Sequence, residues 1–236
     1  MRNILFASLL LAAVPVAWAG PTQIHAVPAA PWSYPEMPGT GIVPEYFKYL
    51  FGKAGAEMTV RTIPYLRVIE GLKDGSSEAT LLIPDAERDG FALNLCSPTE
   101  IHAGVLYNKS KFTPKSMNDL AGKRVGMLRG TKALDKLKTV SGIVASDIEN
   151  VGQGLKMLAA DRLDATFISS PGSQVLLKDA GLAADQYGFL EVDANPVALY
   201  VSRKSELFKN EALMKKLKTE CEASKEFMKT LMQKYR

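Results

Sequence analysis

The side chains best placed to hold a small molecule cluster where strands hand over to helices. A strand pattern over 57–62 leads through Pro64 into a helix opened by Tyr65 and Arg67; after a turn at Gly75, a second strand over 79–83 ends just before Arg88. Strand ends of an α/β layer share one rim, so this order aims aromatic and cationic groups at a place where an anionic small molecule can sit. Arg67 follows Tyr65 by two residues and points elsewhere on a regular helix, so it reads equally as a surface charge. Further along, Arg129-Gly130-Thr131 follows a strand over 124–127 and precedes a helical pattern over 133–139. Free backbone N–H groups and the positive helix end favour an anion there, and Thr131 adds a hydroxyl; as a plain helix cap Thr131 needs no ligand. Arg129 would bring a second cation. The run from Gly126 to Lys132 is one residue too short for a phosphate loop and sets Thr before Lys, which excludes nucleotide binding.

These groups need a scaffold, and the chain alternates strand and helix as α/β layers with largely parallel strands do. Strand patterns fall at 23–27, 57–62, 79–83, 104–108, 124–127, 165–168 and 197–202, and helical ones at 43–53, 65–73, 133–139, 154–160 and 171–179. Two amphipathic stretches, 206–217 and 220–235, close the chain, their Lys-rich faces reading as solvated surface. Passages between two lobes are expected at 100–104 and at 193–197, where Asn195-Pro196 is a turn signal.

Residues 1–19 have the make-up of an export leader: Arg2, an apolar run over 4–16, and Ala17-Trp18-Ala19 as a small-x-small cleavage site. No later apolar run approaches the ~20 residues of a membrane span. Arg2 is the leader's one charge, so its removal takes the net charge from +4 to +3, too mild and too interspersed for nucleic acid. The expected product is an exported, soluble monomer. Two cysteines in an oxidising compartment, Cys96 and Cys221, either form one disulfide or remain inert core thiols.

The succession Pro31-Trp32-Ser33-Tyr34, Pro64-Tyr65-x-Arg67, Gly75, Glu87-Arg88, Asp119-Leu120-Ala121-Gly122-Lys123-Arg124-Val125-Gly126, Gly130-Thr131, Asp161-Arg162-Leu163-Asp164-Ala165 and Ser202-Arg203-Lys204 resembles the periplasmic solute-binding proteins of the polar amino acid type, bacterial extracellular family 3. The resemblance spans nearly the whole mature chain. It implies a two-lobed α/β clamp of type II, each lobe a mostly parallel sheet flanked by helices, with two crossover strands. The first lobe would be discontinuous, residues 20–101 plus 197–236, and the second would be 102–196. Ligand would lie in the cleft, captured by hinge closure, for delivery to an ABC-type permease or presentation to a sensor.

By that resemblance Arg88 forks onto a ligand carboxylate, as a planar guanidinium does well; the bland reading is an exposed pair with Asp85 or Glu87, contributing only ~0–1 kcal/mol. Tyr65 matches a stacking aromatic, Trp32 or Tyr34 the opposite wall, and Gly130-Thr131 a carboxylate-binding turn. The chain also departs from the family. Where amino acid binders carry an acid for the ligand ammonium, it has Ile168-Ser169-Ser170, and Leu81-Leu82-Ile83-Pro84 replaces small polar residues before the arginine. A buried ammonium without a carboxylate is heavily penalised. The expected ligand is therefore small and polar, a carboxylate or other anion held by Arg88, Thr131, Ser169 and Arg129. No cofactor or metal is implied. Enzymes such as cyclohexadienyl dehydratases use this fold, but the chain offers only His25 and His102 and no nucleophile elbow or metal cluster, so binding is the expectation, with catalysis or a ligand-sensing or protein-interaction module as the alternatives.

Overall fold

A computed structural model describes residues 20–129 and 135–235. The expected leader, the Gly130-Thr131 turn and the start of the helix at 133 lie outside the described residues. In chain order come β1 (Thr22–Ala26), α1 (Ile42–Ala54), β2 (Met58–Thr62), α2 (Tyr65–Asp74), β3 (Ala79–Leu82), the single-turn α3 (Ala86–Asp89) and the long β4 (Ala92–Asn108). There follow β5 (Arg124–Leu128), β6 (Val144–Ile148), α4 (Val151–Ala159), β7 (Ala165–Ser169), α5 (Ser173–Asp179), a second long strand β8 (Tyr187–Ser202), and then α6 (Glu206–Lys209), α7 (Glu211–Ala223) and α8 (Lys225–Lys234).

The strands form one sheet in the order β2-β1-β3-β8-β4-β7-β5-β6. Its outer wings are parallel, β1 with β2 and β3, β5 with β6 and β7, as expected where helices connect the strands. The wings are joined by the antiparallel ribbon of β4 and β8. β3 pairs with β8 only as far as Ala198, and β7 with β4 only from Ala103. Between them, Thr99 to His102 face Val197 to Ala194 as a waist of two strands.

Apolar burial divides at that waist. One core packs Ile24, Phe47, Leu50 and Leu81 with Leu217 and Met228 from the C-terminal helices, and another packs Val105, Leu120, Val125, Leu155 and Ile168. A smaller cluster under α2 joins Val68 and Leu72 to Leu82, Ala198 and Tyr200 on the opposite face of the first wing.

Several elements differ from the sequence expectation. The expected strand at 104–108 is the last part of one 17-residue strand, β4, that begins at Ala92. Pro196, expected in a turn, pairs with Glu100 inside β8; it lies at the unflanked waist, where a missing N–H breaks no ladder. β6 was not expected, because only Ile148 of its five residues is buried and an edge strand of that kind shows no alternation. Residues 135–139 form a 3-10 helix rather than an α-helix, with Leu137 alone buried, too little apolar face to hold α turns. The stretch expected over 206–217 breaks at Asn210, whose side chain caps α7 by accepting from Leu213 N at 3.1 Å, and α7 then runs on to Ala223.

Cys96 on β4 and Cys221 on α7 form a disulfide with their Cα atoms 6.3 Å apart. The bridge fastens the C-terminal helices to the first core beside Tyr46, whose hydroxyl bonds Ser224 Oγ at 2.9 Å. Desolvation pushes the Tyr46 phenol up to about 12.

Candidate functional site

The site is built where β3 ends. All four β3 residues are buried, so the chain emerges from the sheet interior onto its rim. Ile83-Pro84-Asp85 then turn into α3, where the Asp85 carboxylate accepts from Glu87 N at 2.9 Å and Arg88 N at 3.3 Å. That cap fixes a helix of one turn, too short to persist by itself. It also points Arg88 inward, leaving the residue 6% exposed.

The buried guanidinium is held from three directions. It donates to the Ile83 carbonyl and, at 3.0 Å, to Tyr65 Oη, and its Cζ lies 5.1 Å from the Tyr200 ring centroid. Tyr200 is fixed in turn by donating to Asp89 Oδ1 at 2.9 Å and accepting from Asp85 N at 3.3 Å, while burial raises its phenol above the usual value. Among the described residues no carboxylate comes within 4.0 Å of the Arg88 nitrogens, and Nε has no hydrogen-bond partner. A buried cation without a counter-charge is unfavourable, so the geometry is suited to an incoming anion.

Arg88 and Tyr65 open onto one cavity of about 200 Å³ at the waist of the sheet. Val27, Trp32 and Leu81 to Asp85 line it from the first wing, Leu128, Phe167 and Ser169 from the second, and Ile101, Asn195 and Val197 from the ribbon. Walls from both cores are what a cleft between lobes requires. Trp32 is held there by its loop, its N–H donating to Ala29 O at 2.7 Å and its carbonyl accepting from Val43 N at 2.8 Å.

Of the residues singled out in the sequence, Trp32, Tyr65, Arg88 and Ser169 are brought together in this wall. Arg67 is not: it lies on the outer face of α2, paired with Glu70 at 3.0 Å, because two residues along a helix reverse the facing direction. Arg129 is exposed and pairs with Asp147 at 3.5 Å on the neighbouring strand. Tyr34 is buried in the loop before α1 but does not line the cavity, and burial followed by the Asp179 and Glu36 charges raises its phenol. Gly130 and Thr131 lie outside the described residues. Sequence reasoning missed Leu128, Phe167, Asn195 and the Tyr200 platform. The usable signals were a tyrosine in an otherwise aliphatic strand for Tyr200, and strand ends sharing a rim with Arg88 for Leu128 and Phe167.

The histidines stand apart. His25 on β1 has its pKa lowered by burial and then by Arg61, and His102 pairs on the surface with Glu191 at 3.0 Å. Among the described residues no group of three His, Cys, Asp or Glu side chains is placed to hold a metal ion. Among them also, no helix is long and apolar enough to cross a membrane.

No family model matches the chain, and no curated protein matches it in sequence. Solved structures match it over almost its whole length. An ancestral arginine-binding protein bound to arginine superposes with a TM-score of 0.78 at 19% identity, covering 92% of this chain and 98% of that one. The arginine-, lysine-, histidine-binding protein ArtJ from Geobacillus stearothermophilus gives 0.75 at 15% identity, covering 91% and 94%. The substrate-binding protein of an amino acid ABC transporter gives 0.73 at 16% identity, covering 90% and 98%. The fold is therefore that of the two-lobed type II periplasmic binding proteins, as the motif resemblance implied.

Proposed function

We propose that this protein is an exported, periplasmic solute-binding protein that closes around a small carboxylate and delivers it to an ABC-type permease. Its lobes are residues 20–101 with 197–236, and residues 102–196, hinged at the two-strand waist. The observation that carries this reading is Arg88, buried in a cavity wall with no carboxylate partner among the described residues and with Tyr65, Ile83 and Tyr200 fixing its plane. Two parallel charge-assisted bonds from such a guanidinium orient a carboxylate and neutralise it. By the motif resemblance, Gly130 and Thr131, which follow the cavity-lining Leu128 in sequence, are the second lobe's candidates for the same anion. The likeness to amino acid binders supports capture rather than catalysis.

The test is native mass spectrometry of protein purified without denaturation from its own periplasm. A small acid should be retained, be released unchanged on unfolding, and be absent from a folded Arg88→Lys variant, which keeps the charge but loses the fork. Conversion of the acid on incubation would make the protein an enzyme. Retention of nothing, with no small acid altering the melting temperature, would remove the cavity from function.

A further inference from the structure

Gly41 closes the loop that carries Trp32 and leads into α1. Residues 35–39 of that loop are exposed, whereas Trp32 to Tyr34 and Gly41 to Pro44 are buried. The two buried arms lie side by side, Ile42 N donating to Pro31 O at 3.0 Å and Val43 N to Trp32 O at 2.8 Å. Gly41 fits against them only without a side chain, since a Cβ would lie 2.7 Å from Trp32 O and 2.9 Å from Ser33 Cα, and its φ of 120° suits glycine. It also stands at the start of α1 with no side chain to cap the helix, and its own buried N–H needs a partner.

That partner is Tyr235, just beyond α8 and 194 positions along the chain, whose hydroxyl accepts from Gly41 N at 3.1 Å. The same hydroxyl donates to Glu45 in the first turn of α1, and Lys234 Nζ donates to the two Glu45 oxygens at 2.8 and 2.7 Å. Burial opposes the Glu45 charge, but hydrogen bonds from Lys234 and Tyr235 outweigh it and hold the carboxyl below its ordinary value. Desolvation, and then the bond to Glu45, push the Tyr235 phenol up to about 12, so it keeps its proton at neutral pH. With that proton committed to Glu45, the oxygen meets the Gly41 N–H as an acceptor.

The residues paired across this junction, Trp32 and Val43, both line the cavity, whereas Tyr235 and Glu45 do not. We propose that Tyr235 is a positioning residue for the ligand cavity: through Gly41 and Glu45 it holds the start of α1 against the Trp32 arm, and so sets where Trp32 and Val43 stand in the wall. This rests on the solute-binding reading for what the wall serves, but the link itself is read without ligand. The Ser33 hydroxyl, bonded to Thr62 Oγ1, ties the Trp32 arm from its other side. Losing the Tyr235 oxygen therefore loosens the wall without unfolding the lobe.

Amide hydrogen exchange of the full mature protein, followed by NMR, tests this on wild type, Tyr235→Phe and Lys234→Met. Tyr235→Phe keeps the ring and removes the oxygen. Protection at the hydrogen-bonded amides of Trp32, Ile42 and Val43 should then fall roughly tenfold, as loss of a hydrogen bond to a charged group does to a local opening, while amides of β4 and β8 keep theirs. Trp32 is the one tryptophan between residues 20 and 236, so a change in emission reports its displacement directly. Lys234→Met leaves the hydroxyl in place and should leave both signals as in wild type. Unchanged protection at the Trp32, Ile42 and Val43 amides in Tyr235→Phe, an equal fall throughout the first lobe, or the same local fall in Lys234→Met would overturn the positioning role. None of these results bears on whether protein from the periplasm retains an acid, so the solute-binding reading is decided separately.

Discussion

Reduction of the Cys96–Cys221 bridge should lower thermal stability substantially while leaving the cavity intact. The two residues are 125 positions apart, so the closed loop takes in most of the mature chain. Cross-linking a loop of that length removes ~16 cal/mol/K of entropy from the unfolded ensemble, or ~5 kcal/mol at 25 °C in the chain-entropy model. For a domain of this size each kcal/mol moves the melting temperature by roughly 2–4 °C, so reduction should lower it by roughly 10–20 °C. The assay is a melting curve of the mature protein with and without dithiothreitol, beside a Cys96→Ser/Cys221→Ala double variant. The variant should melt near reduced wild type and ignore reductant, which separates the cross-link from loss of packing at the fully buried Cys221. Cys96 and Cys221 are not among the cavity-lining residues, so ligand affinity at 25 °C should not change. Two titratable thiols in unfolded wild type, or a shift below ~2 °C, where the loop entropy requires far more, would refute the argument.

Other outcomes follow from the same geometry. Arg88→Lys should weaken a carboxylate ligand by about 2 kcal/mol or more in calorimetry, since a point charge cannot reproduce the fork; equal affinity would remove Arg88 from the binding site. Gly172 has φ near 127° and an added Cβ would lie 2.1 Å from Pro31 Cδ, so Gly172→Ala should push the Trp32 loop off the start of α5. A loss of about 1–3 kcal/mol by denaturant titration, with altered Trp32 fluorescence, is expected. Side-chain and backbone hydrogen bonds from Arg124 hold the Asp164 carboxyl below its ordinary 3.8, with burial opposing them. That stabilisation is complete above 3.8 and fades as pH falls through the lowered folded value. Asp164→Asn should therefore lower the urea midpoint at pH 7, and the gap to wild type should close in acid; a gap independent of pH would contradict the assignment.

Residue pattern alone located β1, α1, β2, α2, β3, β5, α4, β7 and α5 to within a few positions, because their apolar runs or alternations, and the turn residues that bound them, are local features. It also marked Trp32, Tyr65, Arg88 and Ser169, since strand-to-helix junctions can be found from turn residues and periodicity. What it left undecided depends on partners far along the chain. Whether Arg88 is an exposed ion pair or a buried, unpaired cation turns on Tyr200, 112 residues later, rising beneath it. Whether Cys96 meets Cys221 turns on α7 returning to β4. β6 escaped notice because its stability comes from pairing with β5 rather than from burial of its own side chains. The continuity of β4 and β8 was equally hidden, for a two-strand waist exposes both edges and tolerates Pro196 where a flanked ladder would not. Local sequence thus marked which side chains reach the rim; only the tertiary arrangement set how deeply each is desolvated and which partners, such as Tyr65 and Tyr200 for Arg88, it meets.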